Sequence, residues 1–376
     1  MDLRMAAHPS SSGRLPSLDG LRALSITSVL FLHLSGTRNF LPYKAVEPFN
    51  PGDLGVRTFF VISGFLITSL VLRELDTTGR ISLKNFYARR VLRIFPAFYF
   101  YIAITTVVAL FLHQTVDGSA LLHALTYTVN YQSPQGAWIV AHLWSLSVEE
   151  QFYLLWPATL FFIGKRRGLM VAAGVLLVVP CIRLAYWMML PEHHYLILKS
   201  FETSCDPLAA GCLLAGTRER IADRYPVYLR ALRSRWFLWI VPLLILGCSM
   251  MFQRPRIHYL IAIPVENLLL AILIDRCVRF PNTAAGRFLN LRPLAFIGVL
   301  SYSLYLWQQP FCVEWRNHDA WWSGFPQNLA FGMAAALASY YLIERPFLKL
   351  KTRFGPPSRN LEMSSAAPAV RVRVDS

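Results

Sequence analysis

The chain has 376 residues, of which 55% are hydrophobic, 14% aromatic and only 15% charged, with a formal net charge of +16. Soluble domains carry about 25% charged residues, so this composition excludes an ordinary soluble protein and points to the bilayer as solvent. The basic excess invites a nucleic-acid reading, which the distribution of the basic residues argues against.

A hydrocarbon core of about 30 Å needs roughly 20 residues of helix. In chain order, apolar stretches of that kind run near 18–34, 54–72, 95–112, 143–163, 169–190, 200–216, 236–252, 258–275, 294–313 and 326–343. The expected fold is all-α: a polytopic transmembrane helix bundle of about ten transmembrane helices, whose principal partner is the lipid bilayer. Residues 1–17 hold no apolar signal-peptide core, so the first helix is expected to stay in the mature protein. The polar, small-residue segments 1–13 and 351–376 read as disordered cytoplasmic tails around one membrane domain, 14–350. The longest outer loop, 113–142, has no Lys or Arg and is expected either to lie in the interface or to dip inward and line a cavity.

The basic residues alternate by loop. With the N-terminus cytoplasmic, the inner segments hold 28 Lys and Arg and the outer loops seven, Arg57 being counted among the seven. Such an asymmetry is the positive-inside pattern of a multi-pass protein. Charge spread over separate inner loops forms no nucleic-acid surface, so no nucleic-acid partner is expected. The six cysteines form no CxxC pair, so neither a disulfide framework nor a metal site is expected.

Three groups of polar residues stand out against this apolar background. On the first span Arg22 and His33 lie eleven residues apart, about 16 Å and three turns, so both face nearly the same side. A histidine at that depth is costly and suited to moving a proton, although one interhelical hydrogen bond and a topology anchor explain the pair equally well. The inner segment FYARRVLRIFP carries Arg89, Arg90 and Arg93 beside aromatic rings. Guanidinium groups there suit phosphate, and the positive-inside rule accounts for them just as simply. The fourth span opens with HLWSLSVEEQFY, where Glu149 and Glu150 point about 100° apart. Only one of them, Glu149, is expected to face the bundle interior. Arg183, Asp206, Glu266 and Glu344 are further isolated charges, for which pairing inside the bundle is explanation enough.

Six ordered motifs now coincide: LDGLRA with His33 eleven residues after Arg22, GVRTFFVISGFLI at 55–67, FYARRVLRIFP at 86–96, HLWSLSVEEQFY at 142–153, SYSLYLWQQP at 301–310 and IERPF at 343–347. In these the chain resembles the membrane-bound acyltransferase 3 family, whose members acylate sugars of polysaccharides, Nod factors and macrolides. The resemblance implies a multi-pass protein of the cell inner (plasma) membrane with both termini cytoplasmic. It implies an O-acyltransferase that moves an acyl group, expected to be acetyl, from acyl-CoA to a hydroxyl of a carbohydrate acceptor. It further implies that His33 is the catalytic centre, that Arg22 is essential, and that Arg89, Arg90 and Arg93 hold the CoA. Glu149 is expected to orient His33 or to bind acceptor hydroxyls. A thioester is already activated, so no metal is expected.

Two positions depart from the family pattern. Ser204 and Cys205 stand where members often carry an arginine before Asp206, and Gln308 stands where they often carry a histidine. Many relatives add an esterase-like domain; this chain ends 29 residues after Phe347, so it is expected to bind its acceptor with helices and loops alone. Two competing readings remain at this point: a transporter or flippase of a glycan or lipid intermediate, which predicts inverted repeats not found here, and a non-catalytic scaffold whose buried charges only pair with one another.

Overall fold

The computed structural model describes residues 15, 17–114, 116–133, 138–312 and 321–350. The two tails expected to be disordered, 1–13 and 351–376, lie outside the described residues. Among the described residues the fold is helical, without strands. The principal helices are α1 (Leu18–Leu34), α2 (Pro51–Thr78), α3 (Leu83–Phe111), α4 (Gly118–Leu125), α5 (Trp144–Met189), α6 (Asp206–Arg224), α7 (Phe237–Ser249), α8 (Ile263–Arg279), α9 (Arg292–Trp307) and α10 (Gln327–Ser339).

All ten apolar intervals of the sequence fall on these helices, within a few residues at their ends. Two of them are halves of α5. Gly164 sits at φ 76°, ψ 171°, a conformation glycine adopts at low cost, and there the chain reverses: Gly168 packs back on Leu160 and Trp156. Four helical stretches are by themselves long and apolar enough to cross a membrane, or five if Pro226–Arg233 and Phe237–Phe252, bent by 90°, form one span. The other intervals are helices of 17 residues or fewer or, in α6, end in the charged turn up to Arg224.

The radial distribution of polarity is that of a membrane protein. On the second half of α5, Leu177 is 75% exposed whereas Arg183, less than two turns on, is fully buried. In water the opposite arrangement would be stable; in lipid the apolar side chains face outward and the ionisable ones turn to the interior. Close backbone approach supplies the packing. At the α2–α6 crossing a Cβ on Gly64 would strike the Leu208 backbone and one on Gly211 the Val61 backbone, the small-residue contact used where no hydrophobic effect drives helices together.

One expectation is corrected here, and one left open is decided. Arg57 is not a loop residue: it is buried inside α2, held by Asp53 one turn earlier. Of the two courses open to the segment 113–142, its described residues take the inward one. Tyr127 stacks on Phe98 with ring centroids 4.2 Å apart, Gln151 Nε2 donates to the Tyr127 carbonyl at 2.9 Å, and the segment delivers His142 into the bundle, where it is buried.

Candidate active site

α1, α2, α3, α5 and α9 line a half-open cavity with about 730 Å³ of space, part of it continuous with solvent. Arg22 enters it from the first turns of α1, and Arg90 and Arg93 enter from α3, three residues apart and therefore on one face. The Arg90 guanidinium lies 5.0 Å from the Tyr153 ring and 5.5 Å from the Phe86 ring. Arg22 has Asp19 at 3.7 Å, while Arg90 and Arg93 have no carboxylate within ion-pair distance among the described residues. Arg89 belongs elsewhere: its Nη2 lies 3.3 Å from Glu74 near the end of α2, outside the cavity lining.

Both glutamates of α5 line the cavity, which corrects the expectation that only Glu149 would face inward. The helix is approached from two sides at once. Glu149 accepts a hydrogen bond from Ser63 of α2 at 2.6 Å, and Tyr153 donates to the same Ser63 oxygen at 3.1 Å. Glu150, a further 100° round, lies on the side where it interacts electrostatically with Arg90 of α3.

His33 is not part of this lining. Its Nδ1 is hydrogen-bonded to Gln308 Oε1. An amide oxygen only accepts, so Nδ1 carries the proton and Nε2 keeps a basic lone pair. Gln308, 1% exposed, is the residue that departs from the family pattern, and it is what orients the imidazole; Glu149 does not reach it. Two residues connect the histidine end with the cavity. Tyr305 and Ser145 both line the cavity; the Tyr305 hydroxyl donates to the His142 carbonyl at 2.7 Å and meets Ser145 Oγ at 2.6 Å. His142 donates from Nε2 to the Leu306 carbonyl at 3.2 Å and is within electrostatic reach of His33. Beside this pair, Gln308 Nε2 and Trp307 Nε1 are buried donors with no hydrogen-bond partner among the described residues.

The arrangement thus brings together Arg22, Arg90, Arg93 and Glu149 in one cavity, sets His33 at the far end of the same helix as Arg22, and excludes Arg89. Sequence reasoning passed over Tyr305, Ser63 and Tyr153. All of them lie within motifs quoted above, so the signal was their presence there, without anything to say which way they point. Chemically, the assembly offers guanidinium groups for phosphate, a basic imidazole nitrogen, and unsatisfied donors beside it.

The family profile described as an acyltransferase domain matches residues 15–345. The chain is 32% identical over 365 residues to a Bacillus subtilis (strain 168) protein provisionally named a peptidoglycan O-acetyltransferase, covering 88% of this chain and 54% of that one. It is 30% identical to an O-acetyltransferase of Staphylococcus aureus (strain NCTC 8325 / PS 47), covering 80% and 51%. It is 29% identical to a peptidoglycan O-acetyltransferase of Listeria monocytogenes serovar 1/2a, covering 79% and 49%. The chain spans about half the length of these curated relatives. No solved structure matches it significantly. With a profile that runs through α1 to α10 and takes in Arg22, His33, Arg90, Arg93 and Glu149, the chain belongs to the acyltransferase 3 family.

Proposed function

We propose that this protein is a membrane-embedded O-acetyltransferase that carries an acetyl group from acetyl-CoA to a hydroxyl of a glycan. The observation that carries this reading is the cavity in which Arg22, Arg90 and Arg93 converge. Two of the three, Arg90 and Arg93, have no carboxylate within ion-pair distance among the described residues, and guanidinium groups so placed suit the phosphates of CoA. The positive-inside distribution orients the Arg22 end and both termini to the cytoplasm, in the plasma membrane, where CoA is available. The glycan acceptor is inferred from the relatives named for peptidoglycan.

In this scheme CoA docks on Arg22, Arg90 and Arg93, and its thioester passes Ser145 and Tyr305 towards His33. His33 Nε2 takes the proton of the acceptor hydroxyl as its oxygen attacks the thioester carbonyl. The carbonyl oxygen becomes an oxyanion, for which Gln308 Nε2 and Trp307 Nε1 are the nearby unsatisfied donors. Collapse breaks the C–S bond, and the departing CoA thiolate receives the proton from His33. Gln308 Oε1 holds the imidazole in the required tautomer throughout.

Membranes containing wild type or His33→Ala, supplied with radiolabelled acetyl-CoA, test the reading. Label should enter a glycan fraction and fall by about 10²- to 10⁴-fold in the variant at equal expression, the usual contribution of a general base. Equal labelling removes His33 as the base, and transport of a glycan without any labelling returns the flippase reading.

A further inference from the structure

The lining of the Arg22 cavity changes character with depth. Along α2, Phe60, Phe59 and Val56 lie three, four and seven residues from Ser63 towards the Pro51 end, about 4.5, 6 and 10.5 Å further into the bundle. Along α5, Leu146 and Ser145 precede Glu149 by three and four residues, and along α9 Tyr305 follows Ser301 by four. The three helices agree on the layering. The mouth holds Arg22, Arg90, Arg93, Glu149 and Glu150, whereas the floor holds Val56, Phe59, Phe60 and Leu146, with Ser145 and Tyr305, bonded to each other, as its polar corner.

This polarity suits an amphiphile with a charged head and a short apolar tail, which is the form of an acyl-CoA. A charged or hydroxyl-rich group at the floor would lose its hydration to Val56, Phe59, Phe60 and Leu146 without compensation, whereas the methyl of an acetyl group gains contact there. The carbonyl of the thioester belongs at the Ser145–Tyr305 corner, which leads through His142 to the His33 end.

The floor has little room to yield. Val56, Phe60 and Leu146 are 8%, 2% and 8% exposed, and Phe60 rests edge-on against Trp144 with ring centroids 6.3 Å apart. A Cβ on Gly55 would come within 2.6 Å of the Ser25 carbonyl oxygen, so α2 is pressed against α1 beside Val56. Beyond the ring, a smaller polar cavity shares Val56 and Phe60 with this one and is lined by Arg57, Arg183 and Asp206. An alkyl chain that pushed past Phe60 would meet those paired charges, which offer it no favourable contact. We propose that Phe60, backed by Trp144 and flanked by Val56 and Leu146, sets the length of the acyl group the protein accepts, admitting acetyl and turning away longer chains. The inference deepens the O-acetyltransferase reading and rests on it for the donor; the selectivity itself is read from binding, without turnover.

The full chain in nanodiscs, titrated by calorimetry with CoA, acetyl-CoA and butyryl-CoA, provides the test. Wild type should bind acetyl-CoA about tenfold or more tighter than butyryl-CoA, the discrimination a packed pocket achieves against added methylenes. Phe60→Ala, which deepens the floor as far as Trp144, should bring the two affinities to within about twofold, and Leu146→Ala should shift their ratio the same way by about fourfold, near the worth of one buried methylene. CoA without an acyl group should bind wild type and both variants alike, which also reports that they are folded; if Phe60→Ala loses that binding, Phe60→Leu is read in its place, with a shift of about fourfold expected. Wild type that binds butyryl-CoA as tightly as acetyl-CoA, or variants that bind CoA and keep the wild-type ratio, overturns the proposal. Phe60-dependent selectivity without acetyl transfer by wild type leaves the floor standing and brings down the transferase reading instead.

Discussion

The two charged regions of this bundle use the same residue types in opposite ways. Around Asp206 the charges are matched to one another: Arg183 and Asn267 both reach the Asp206 carboxylate, and Arg57 bridges Asp53 and Glu266. Around Arg22 the guanidinium groups converge on empty space, and Arg90 rests against aromatic faces without any carboxylate partner among the described residues. Pairing lowers the cost of placing charge in a membrane. Charge left unpaired in a cavity is instead poised for a ligand, so the difference separates residues that hold the bundle together from residues that hold a substrate.

Breaking the matched region should have the largest effect on the molecule. Asp206→Ala leaves Arg183 buried without its carboxylate, which costs roughly 3–5 kcal/mol. Thermal denaturation in detergent should show a protein that unfolds at much lower temperature, and Arg183→Met combined with Asp206→Leu should recover most of the loss. If Asp206→Ala melts like wild type, the pair is not structural.

The unmatched region should behave in the reverse manner. Arg90→Ala and Arg93→Ala each remove a charged contact to phosphate worth about 1.5–3 kcal/mol, a 10- to 100-fold weakening of acetyl-CoA binding. Their melting temperatures should not fall, because no partner is orphaned. A lower melting temperature with unchanged CoA affinity would move these arginines into the structural class.

Two smaller effects sharpen the boundary. Gln308→Leu frees the His33 ring, and kcat should drop by about tenfold, with the KM for acetyl-CoA unaltered, on the scale of one positioning hydrogen bond; Gln308→His, the residue many family members carry, should retain more activity. Arg89→Ala removes a partly exposed ion pair with Glu74 and should change CoA binding by less than about twofold. A large loss there would show that Arg89 swings into the cavity when CoA binds.

Much of this was legible in one dimension. The interval 18–34 became α1, Leu18–Leu34, because a polar segment, an apolar run and then Ser35-Gly36 mark its ends. The reversal at Gly164 was visible as a glycine followed by Lys165, Arg166 and Arg167 between two apolar runs. Arg22, Arg90, Arg93 and Glu149 were all named in advance, and they meet in one cavity. What failed was direction. The single-helix argument that Glu149 and Glu150 cannot both face inward ignored that a cavity bounded by α2 on one side and α3 on the other covers more than one face of α5. The same limit applied to Arg89, whose neighbours in sequence enter the cavity while it meets Glu74.

By itself the sequence determined that this is a helical membrane protein of the acyltransferase 3 family, which helices it would build, and which of their residues are too polar to face lipid. Those properties follow from composition, period and motif, which are local. Only the tertiary structure decided that Gln308, 275 residues from His33, is its partner, that Arg183 balances Asp206, and that a second polar cavity stands behind Phe60. Side chains so far apart in the chain meet only through helix packing, and their pairing is set by which faces the bundle brings together.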